Sequence, residues 1–268
     1  MKILWIVNTI FPYPAQKLNL NINVFGGWLN GLAEQLKKVP GIELAIASTY
    51  NGKEIKEFKD DKIKYYLIPG APAIKYNKKM EKNWIIINER FKPDLVHIHG
   101  TEYAHGLAFK NACPKVKCVI SIQGLVSNCS RIYYGNIPEK DILKNITFRD
   151  IIKRDSLFQA RKKFEKRGKL EVGLIEKASN IIGRTTWDYS NTKAINPNVK
   201  YYKGEETLRS SFYNMEWDIN HIERHTLFCS QASYPIKGIH FAIEALKIVK
   251  ERYPDVKLYI AGNNIFKS

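Results

Sequence analysis

Four groups of residues in this chain have the types and spacing to bind an anion or a metal. In Pro235-Ile236-Lys237-Gly238 a lysine stands at the start of a helical pattern, where the helix macrodipole is already positive and a cation is mildly disfavoured. An anion reverses that, because N–H groups at a helix start and an adjacent lysine together make a phosphate site. The plain alternative is a solvated loop lysine, and spacing alone favours it. In Phe25-Gly26-Gly27-Trp28 two glycines precede another helical pattern, so a ligand can approach the backbone closely and meet N–H groups. An ordinary loop-to-helix turn is the simpler account of two glycines. His97 and His99 are two apart on a strand and share a face. A His-x-His at a strand end can hold a catalytic metal, but His221, His225 and His240 have no ligand-like spacing to complete the set. We therefore read no metal site, with His97 a core histidine and His99 at the ligand-side edge. Arg184 closes another strand, as an anion ligand or as a surface arginine.

These residues need elements to hold them, and the hydrophobic pattern supplies an alternation of strands and helices. Lys2 to Asn8 is a continuous apolar run of the kind found in a central parallel strand covered on both faces. Trp28, Leu29, Leu32, Ala33 and Leu36 follow at helical spacing. Strands are expected at Leu44 to Thr49, Tyr65 to Ile68, Leu95 to Gly100, Cys118 to Gly124 and Asn180 to Thr185. Helices are expected at Met80 to Phe91, with Trp84, Ile87 and Phe91 inward, at Thr101 to Ala112 and at Glu171 to Ala178. Asn196 to Asn220 is polar, aromatic and weakly periodic, and reads as strand, helix and linker. From Thr226 to Gly262 the order is strand, loop, helix, strand, with Ile239, Ala242, Ile243, Leu246 and Val249 forming one apolar stripe. A fresh βαβ unit begins there, which places a domain boundary at about 220/221. Residues 1–220 form the first domain and 221–268 the start of a second.

A net charge of +17 on 268 residues favours an anionic partner: nucleotide, nucleic acid or acidic membrane surface. No zinc finger, RNP-like strand or helix-turn-helix accompanies the charge, so nucleic acid is not the expected partner. Arg149 to Lys169 carries nine basic and three acidic residues interleaved with Ile151, Ile152, Leu157, Phe158 and Phe164. That is either a solvated helix face or a basic amphipathic helix for an anionic membrane surface. Cys113, Cys118, Cys129 and Cys229 show no Cys-x-x-Cys spacing and suit packing in a reducing compartment. With neither a signal peptide nor a membrane-length apolar run in the sequence, we expect a cytoplasmic protein, peripheral on the inner face of the membrane if the basic segment docks there.

The opening strand with Gly26-Gly27, the run Pro93-Asp94-Leu95-Val96-His97-Ile98-His99-Gly100, and the Lys237-Gly238 helix followed by Leu258-Tyr259-Ile260-Ala261-Gly262 occur in a telling order. Taken together they resemble the retaining glycosyltransferases of family 4, over the whole chain. The resemblance implies the α/β GT-B architecture, two Rossmann-like domains facing across a cleft, with only the first βαβ unit of the second domain included here. It implies a nucleotide-sugar donor, no metal or other cofactor, and sugar transfer to a glycan or lipid-linked acceptor with retention, as in polysaccharide biosynthesis. Gly26 and Gly27 would offer N–H groups to the donor diphosphate. Lys237, beside Gly238, would stabilise the charge that builds on the leaving phosphate. His99 is the second candidate catalytic residue.

Three departures from the family pattern stand out. Gln231 occupies a position where an arginine is usual, so diphosphate binding should weaken unless Arg184 or another basic group compensates. Gln123 stands where a histidine is usual; it can still hydrogen-bond a sugar hydroxyl or phosphate but cannot take up a proton. The family's glutamate pair does not occur after Lys237. The chain is therefore expected to be the inactive front part of a longer transferase. A catalytically silent glycan- or nucleotide-binding module is the alternative, and a nucleic-acid binder the more distant one.

Overall fold

The computed structural model describes residues 1–21, 26–70, 75–208 and 210–262. Its strands are β1 (Lys2–Val7), β2 (Glu43–Tyr50), β3 (Lys56–Lys59), β4 (Ile63–Pro69), β5 (Leu95–His99), β6 (Cys118–Ser121), β7 (Asn180–Gly183), β8 (Lys200–Lys203), β9 (Thr226–Cys229) and β10 (Lys257–Ile260). The helices are α1 (Pro12–Lys17), α2 (Gly27–Leu36), α3 (Lys79–Phe91), α4 (Ala104–Ala112), α5 (Val126–Cys129), α6 (Glu139–Lys144), α7 (Phe148–Lys153), α8 (Leu157–Glu176), α9 (Thr186–Ile195), α10 (Ser210–Tyr213) and α11 (Ile239–Arg252). Phe25, part of the sequence motif at Gly26-Gly27, lies outside the described residues. Among the described residues no helix is long and apolar enough to cross a membrane.

The chain divides into two compact units, Met1–Ser127 with Lys166–Met215, and Asn128–Glu165 with Glu216–Ser268. The first unit holds one eight-stranded sheet in the order β3-β4-β2-β1-β5-β6-β7-β8, parallel throughout except for β3 on β4. As its apolar run predicts, β1 is central and buried on both faces. Leu4 and Ile6 join one core layer with Trp84, Ile87 and Phe91 of α3 and Phe109 of α4. Ile3, Trp5 and Val7 face the other layer, with Leu29 and Ala33 of α2. This is the doubly wound α/β, Rossmann-like arrangement, in which ligands bind beyond the carboxyl ends of the strands.

The second unit is built on β9 and β10, a parallel pair in register Leu227↔Leu258 and Phe228↔Tyr259, joined by α11. Ile239, Ala242, Leu246 and Val249 of α11 are half-buried. Ile243, expected in that stripe, is exposed instead, together with Phe241 and Ile248. The segment Asn128–Glu165 groups with this unit rather than with the first sheet. The reason is aromatic packing: Tyr234, just before Pro235, meets Phe164 edge-on at 5.3 Å between ring centres and Tyr133 at 6.1 Å.

The basic run from Arg149 to Lys169 is not one helix. Arg154 closes α7 in the left-handed conformation at φ 52°, and Ser156 and Gln159 exchange hydrogen bonds that start α8 afresh. That Ser-x-x-Gln spacing is a capping box, and it was readable in the sequence. The helix expected at Thr101 to Ala112 starts only at Ala104, and the one expected at Glu171 to Ala178 is the end of α8.

Candidate functional site

At the carboxyl ends of β5 to β8 the first unit encloses a cavity of about 180 Å³, walled by Trp28 and Leu32 of α2, His97, His99, Ser121, Arg184 and Glu206. Parallel pairing in register (His97↔Val119, His99↔Ser121, Gly183↔Lys203) brings the strand ends level. His97 Nε2 and Ser121 Oγ are hydrogen-bonded at 2.6 Å, and burial pushes the His97 imidazole down to about 4. His99 stacks on His97 at 3.7 Å and takes edge contacts from Trp5 at 4.6 Å and Trp28 at 5.6 Å. Its own proton affinity is held well below the ordinary value, first by burial and then by the neighbouring His97. Neither ring nitrogen of His99 has a hydrogen-bond partner among the described residues. His99 therefore presents one donor and one acceptor as a neutral ring; it can orient a hydroxyl but is not the imidazolium that would act as an acid at neutral pH.

The far wall of the cavity is an ion pair. Arg184 Nη1 lies 2.7 Å from Glu206 Oε2, and Arg184 Nη2 donates to the Gln123 carbonyl at 2.9 Å. Burial raises the Glu206 carboxyl, with Arg184 opposing the shift. The buried Gln123 Nε2 has no hydrogen-bond partner among the described residues. The strap that carries Glu206 is tied to α2: Thr207 Oγ1 donates to the Trp28 carbonyl at 2.9 Å. A Cβ on Gly31 would stand 2.8 Å from the Leu208 carbonyl oxygen, so glycine is what lets the strap lie this close. Thus Arg184 does face an anion, and the anion is the protein's own. Glu206 was hidden in the weakly periodic stretch after Asn196, where no spacing marks it.

Gly26 caps α2 at φ 76°, and a Cβ there would meet Thr9 Cγ2 at 3.2 Å. Gly27 is the first helical residue. The glycine turn thus lies against the residues that follow β1, at the same carboxyl edge of the sheet.

In the second unit Lys237 ends a short 3-10 turn, Pro235–Lys237, and is exposed. Gly238, at φ 76°, is the N-cap of α11, and its carbonyl accepts from Ala242 N–H at 3.1 Å. Gln231 is exposed in the loop between β9 and this turn. The turn is held from one side by the loop before α6. His240 Nε2 is 2.8 Å from the Gly135 carbonyl, which fixes the proton on Nε2. A Cβ on Gly135, at φ 57°, would come within 2.5 Å of the Pro235 carbonyl oxygen. Sequence spacing gave no hint of this support from a hundred residues earlier. Among the described residues no three His, Cys, Asp or Glu side chains are grouped so as to hold a metal ion.

Against protein-family models and against curated proteins the chain has no match. Solved structures do match. Sucrose-phosphate synthase from Thermosynechococcus elongatus aligns over 100% of this chain and 64% of its own, at 10% identity and TM-score 0.50. The chain has a GT-B-like fold. It spans less than two thirds of that synthase. UDP-GlcNAc 2-epimerase from Neisseria meningitidis, bound to UDP-GlcNAc, aligns over 98% of this chain and 66% of its own at 15% identity and TM-score 0.47. The enzyme of the same name from Methanocaldococcus jannaschii aligns over 100% and 67% at 13% identity and TM-score 0.45. Of the residues singled out by sequence, the GT-B-like fold sets His99, Gln123, Arg184 and the Gly26-Gly27 turn on the carboxyl edge of the first sheet. Gln231, Lys237 and Gly238 lie together in the second unit.

Proposed function

We propose that this chain belongs to a nucleotide-sugar-dependent glycosyltransferase of the retaining, family 4 type, acting on a glycan or lipid-linked acceptor at the cytoplasmic face of a membrane. The observation that carries the reading is Lys237-Gly238 at the head of α11, beyond the carboxyl end of β9, in a GT-B-like fold. Residues 221–268 would begin the nucleotide-sugar domain, and residues 1–220 the acceptor-side domain.

In this reading Lys237 stabilises the nucleotide as negative charge builds on its leaving phosphate, a fixed positive group costing no reorganisation at the moment of transfer. Backbone N–H groups at Gly26 and Gly27 bind the donor diphosphate. His99 and Gln123 offer neutral hydrogen bonds suited to sugar hydroxyls, and His99 positions its ligand without exchanging a proton with it. The nucleotide sugar is a substrate, and the reaction as proposed draws on no metal or other cofactor.

One observation favours a second reading, a binding module without turnover. Arg184, the group expected to compensate for Gln231, is already paired with Glu206. Titrations with a nucleoside diphosphate and with single-stranded oligonucleotide, repeated across salt concentrations, test both readings against the nucleic-acid alternative. The transferase and module readings expect diphosphate binding of modest salt dependence. Tight oligonucleotide binding that falls steeply with salt, by several powers of ten per tenfold of salt as on multiple phosphate contacts, would return the basic charge to nucleic-acid binding. Sugar release from a nucleotide sugar, measured on a protein whose second domain is complete, then separates transferase from module.

A further inference from the structure

Helix α7 buries none of its six residues. Phe148, Ile151 and Ile152 stand at i, i+3 and i+4, one face of the helix, and are 77%, 62% and 63% exposed. Leu143 of α6 and Ile132 in the preceding loop are exposed large apolar residues of the same unit. A helix this short does not hold itself in water by propensity. It is held by its ends instead. Thr147 N–H donates to Asp150 Oδ2 at 3.0 Å while Asp150 N–H donates to Thr147 Oγ1 at 3.2 Å, and the left-handed Arg154 returns its N–H to the Asp150 carbonyl. The caps thus fix the shape of an apolar face that stays mostly exposed among the described residues. A contiguous exposed face of this kind marks an interaction surface.

Charge identifies the partner. From Glu139 to Asp155 the chain has five basic residues, Lys140, Lys144, Arg149, Lys153 and Arg154, against Glu139, Asp141, Asp150 and Asp155. Arg149 is paired with Asp150 and Asp155, and Glu139 with Arg161, so Lys140, Lys144, Lys153 and Arg154 stand against Asp141 as the charges outside those pairs. The carboxylate of Asp150 is engaged in the cap. Apolar side chains on one helical face with lysine and arginine flanking them fit an anionic lipid surface, the apolar groups entering the acyl boundary and the cations resting on headgroups. The first half of α8, although more basic, does not offer such a face. Its Phe158 packs edge-on against Tyr134 at 5.6 Å, and its Phe164 against Tyr133 at 4.8 Å.

We propose that α6 and α7 form an interfacial membrane-docking element, with Phe148, Ile151 and Ile152 as the inserting side chains and an anionic bilayer as the partner. The docking element goes beyond the transferase reading and does not depend on it. Co-sedimentation of the 268-residue chain with phosphatidylcholine vesicles, with and without phosphatidylglycerol, tests it. Binding is expected only with the anionic lipid, weakened about tenfold or more by Phe148→Ser/Ile151→Ser/Ile152→Ser and also weakened by Lys153→Glu/Arg154→Glu. Since α7 buries nothing, circular dichroism of these variants should match the parent chain. Ile151→Lys separates insertion from adsorption, because it adds a positive charge while removing the centre of the apolar face. It should bind less. Equal or tighter binding by Ile151→Lys, equal binding to neutral and anionic vesicles, or binding to neither would overturn the proposal.

Discussion

Glu206 and Arg184 show how one residue pair can set the behaviour of a pocket. The carboxylate occupies the side of the guanidinium that an incoming anion would use. Both side chains are partly exposed, so the pair is worth no more than about 1 kcal/mol. Glu206→Gln is expected to raise the affinity of the chain for inorganic pyrophosphate by about two- to fivefold, measured by calorimetry, if Arg184 is an anion ligand. No change would leave Arg184 a structural partner of the Gln123 carbonyl. The buried histidines carry a pH dependence. His97 and His105 are both pushed down to about 4 by burial, from an ordinary 6.5. The unfolded chain therefore binds more protons between those values. The stability these rings contribute is fully present above pH 6.5 and is lost as pH falls toward 4, on the order of 3 kcal/mol each. The carboxyls of Glu102, Glu171 and the partly exposed Glu206 are shifted upward by burial and act in the opposite sense. Urea unfolding at several pH values should show a shallower fall between pH 6.5 and 4 for His105→Leu than for the parent. An unchanged slope would mean that the ring is solvated in solution.

At the scale of elements, one buried carboxylate joins three of them. Glu171 of α8 accepts hydrogen bonds from Thr101 Oγ1 after β5 at 2.8 Å, from Val126 N–H at 3.1 Å, and from Ser127 N–H and Oγ at 2.9 and 2.6 Å in α5. Glu171→Ala strands these buried donors and should cost about 3 kcal/mol or more in chemical denaturation. A loss under 1 kcal/mol would mean that water replaces the carboxylate. The central strands and α3 were legible in the sequence because their burial shows in run and spacing: β1 is apolar throughout, and Trp84, Ile87 and Phe91 fall on one helical face. The break at Arg154 and the supports of the Lys237 turn were not. A helix stop made by a left-handed arginine leaves no glycine to mark it, and the contact of Gly135 with Pro235 joins residues far apart in the chain. The candidate site followed the same rule. His99 and Lys237 were marked by neighbours in sequence, whereas Glu206 is marked only by what it touches.

At the scale of the whole molecule, the two units are unequally packed. The first has two apolar layers on an eight-stranded sheet. In the second, Phe228 and Ile248 are each 69% exposed, and no residue of α11 is fully buried. We propose that this βαβ unit is completed by further strands and helices in the active enzyme, since two strands and one helix normally need such cover. Amides of Thr226 to Gly262 should then exchange much faster than those of β1 and β5. Equal protection in the 268-residue chain would show that the unit is already stably packed. The same proposal expects no sugar transfer from the chain alone. The central claim, that Lys237 holds a donor phosphate, is tested most directly by calorimetric titration of a nucleoside diphosphate into the chain and into Lys237→Ala. The account expects measurable binding that weakens by about 1.5–3 kcal/mol on substitution, the worth of a charge-assisted hydrogen bond. Binding of equal affinity in both proteins would contradict it and return Lys237 to the solvated surface.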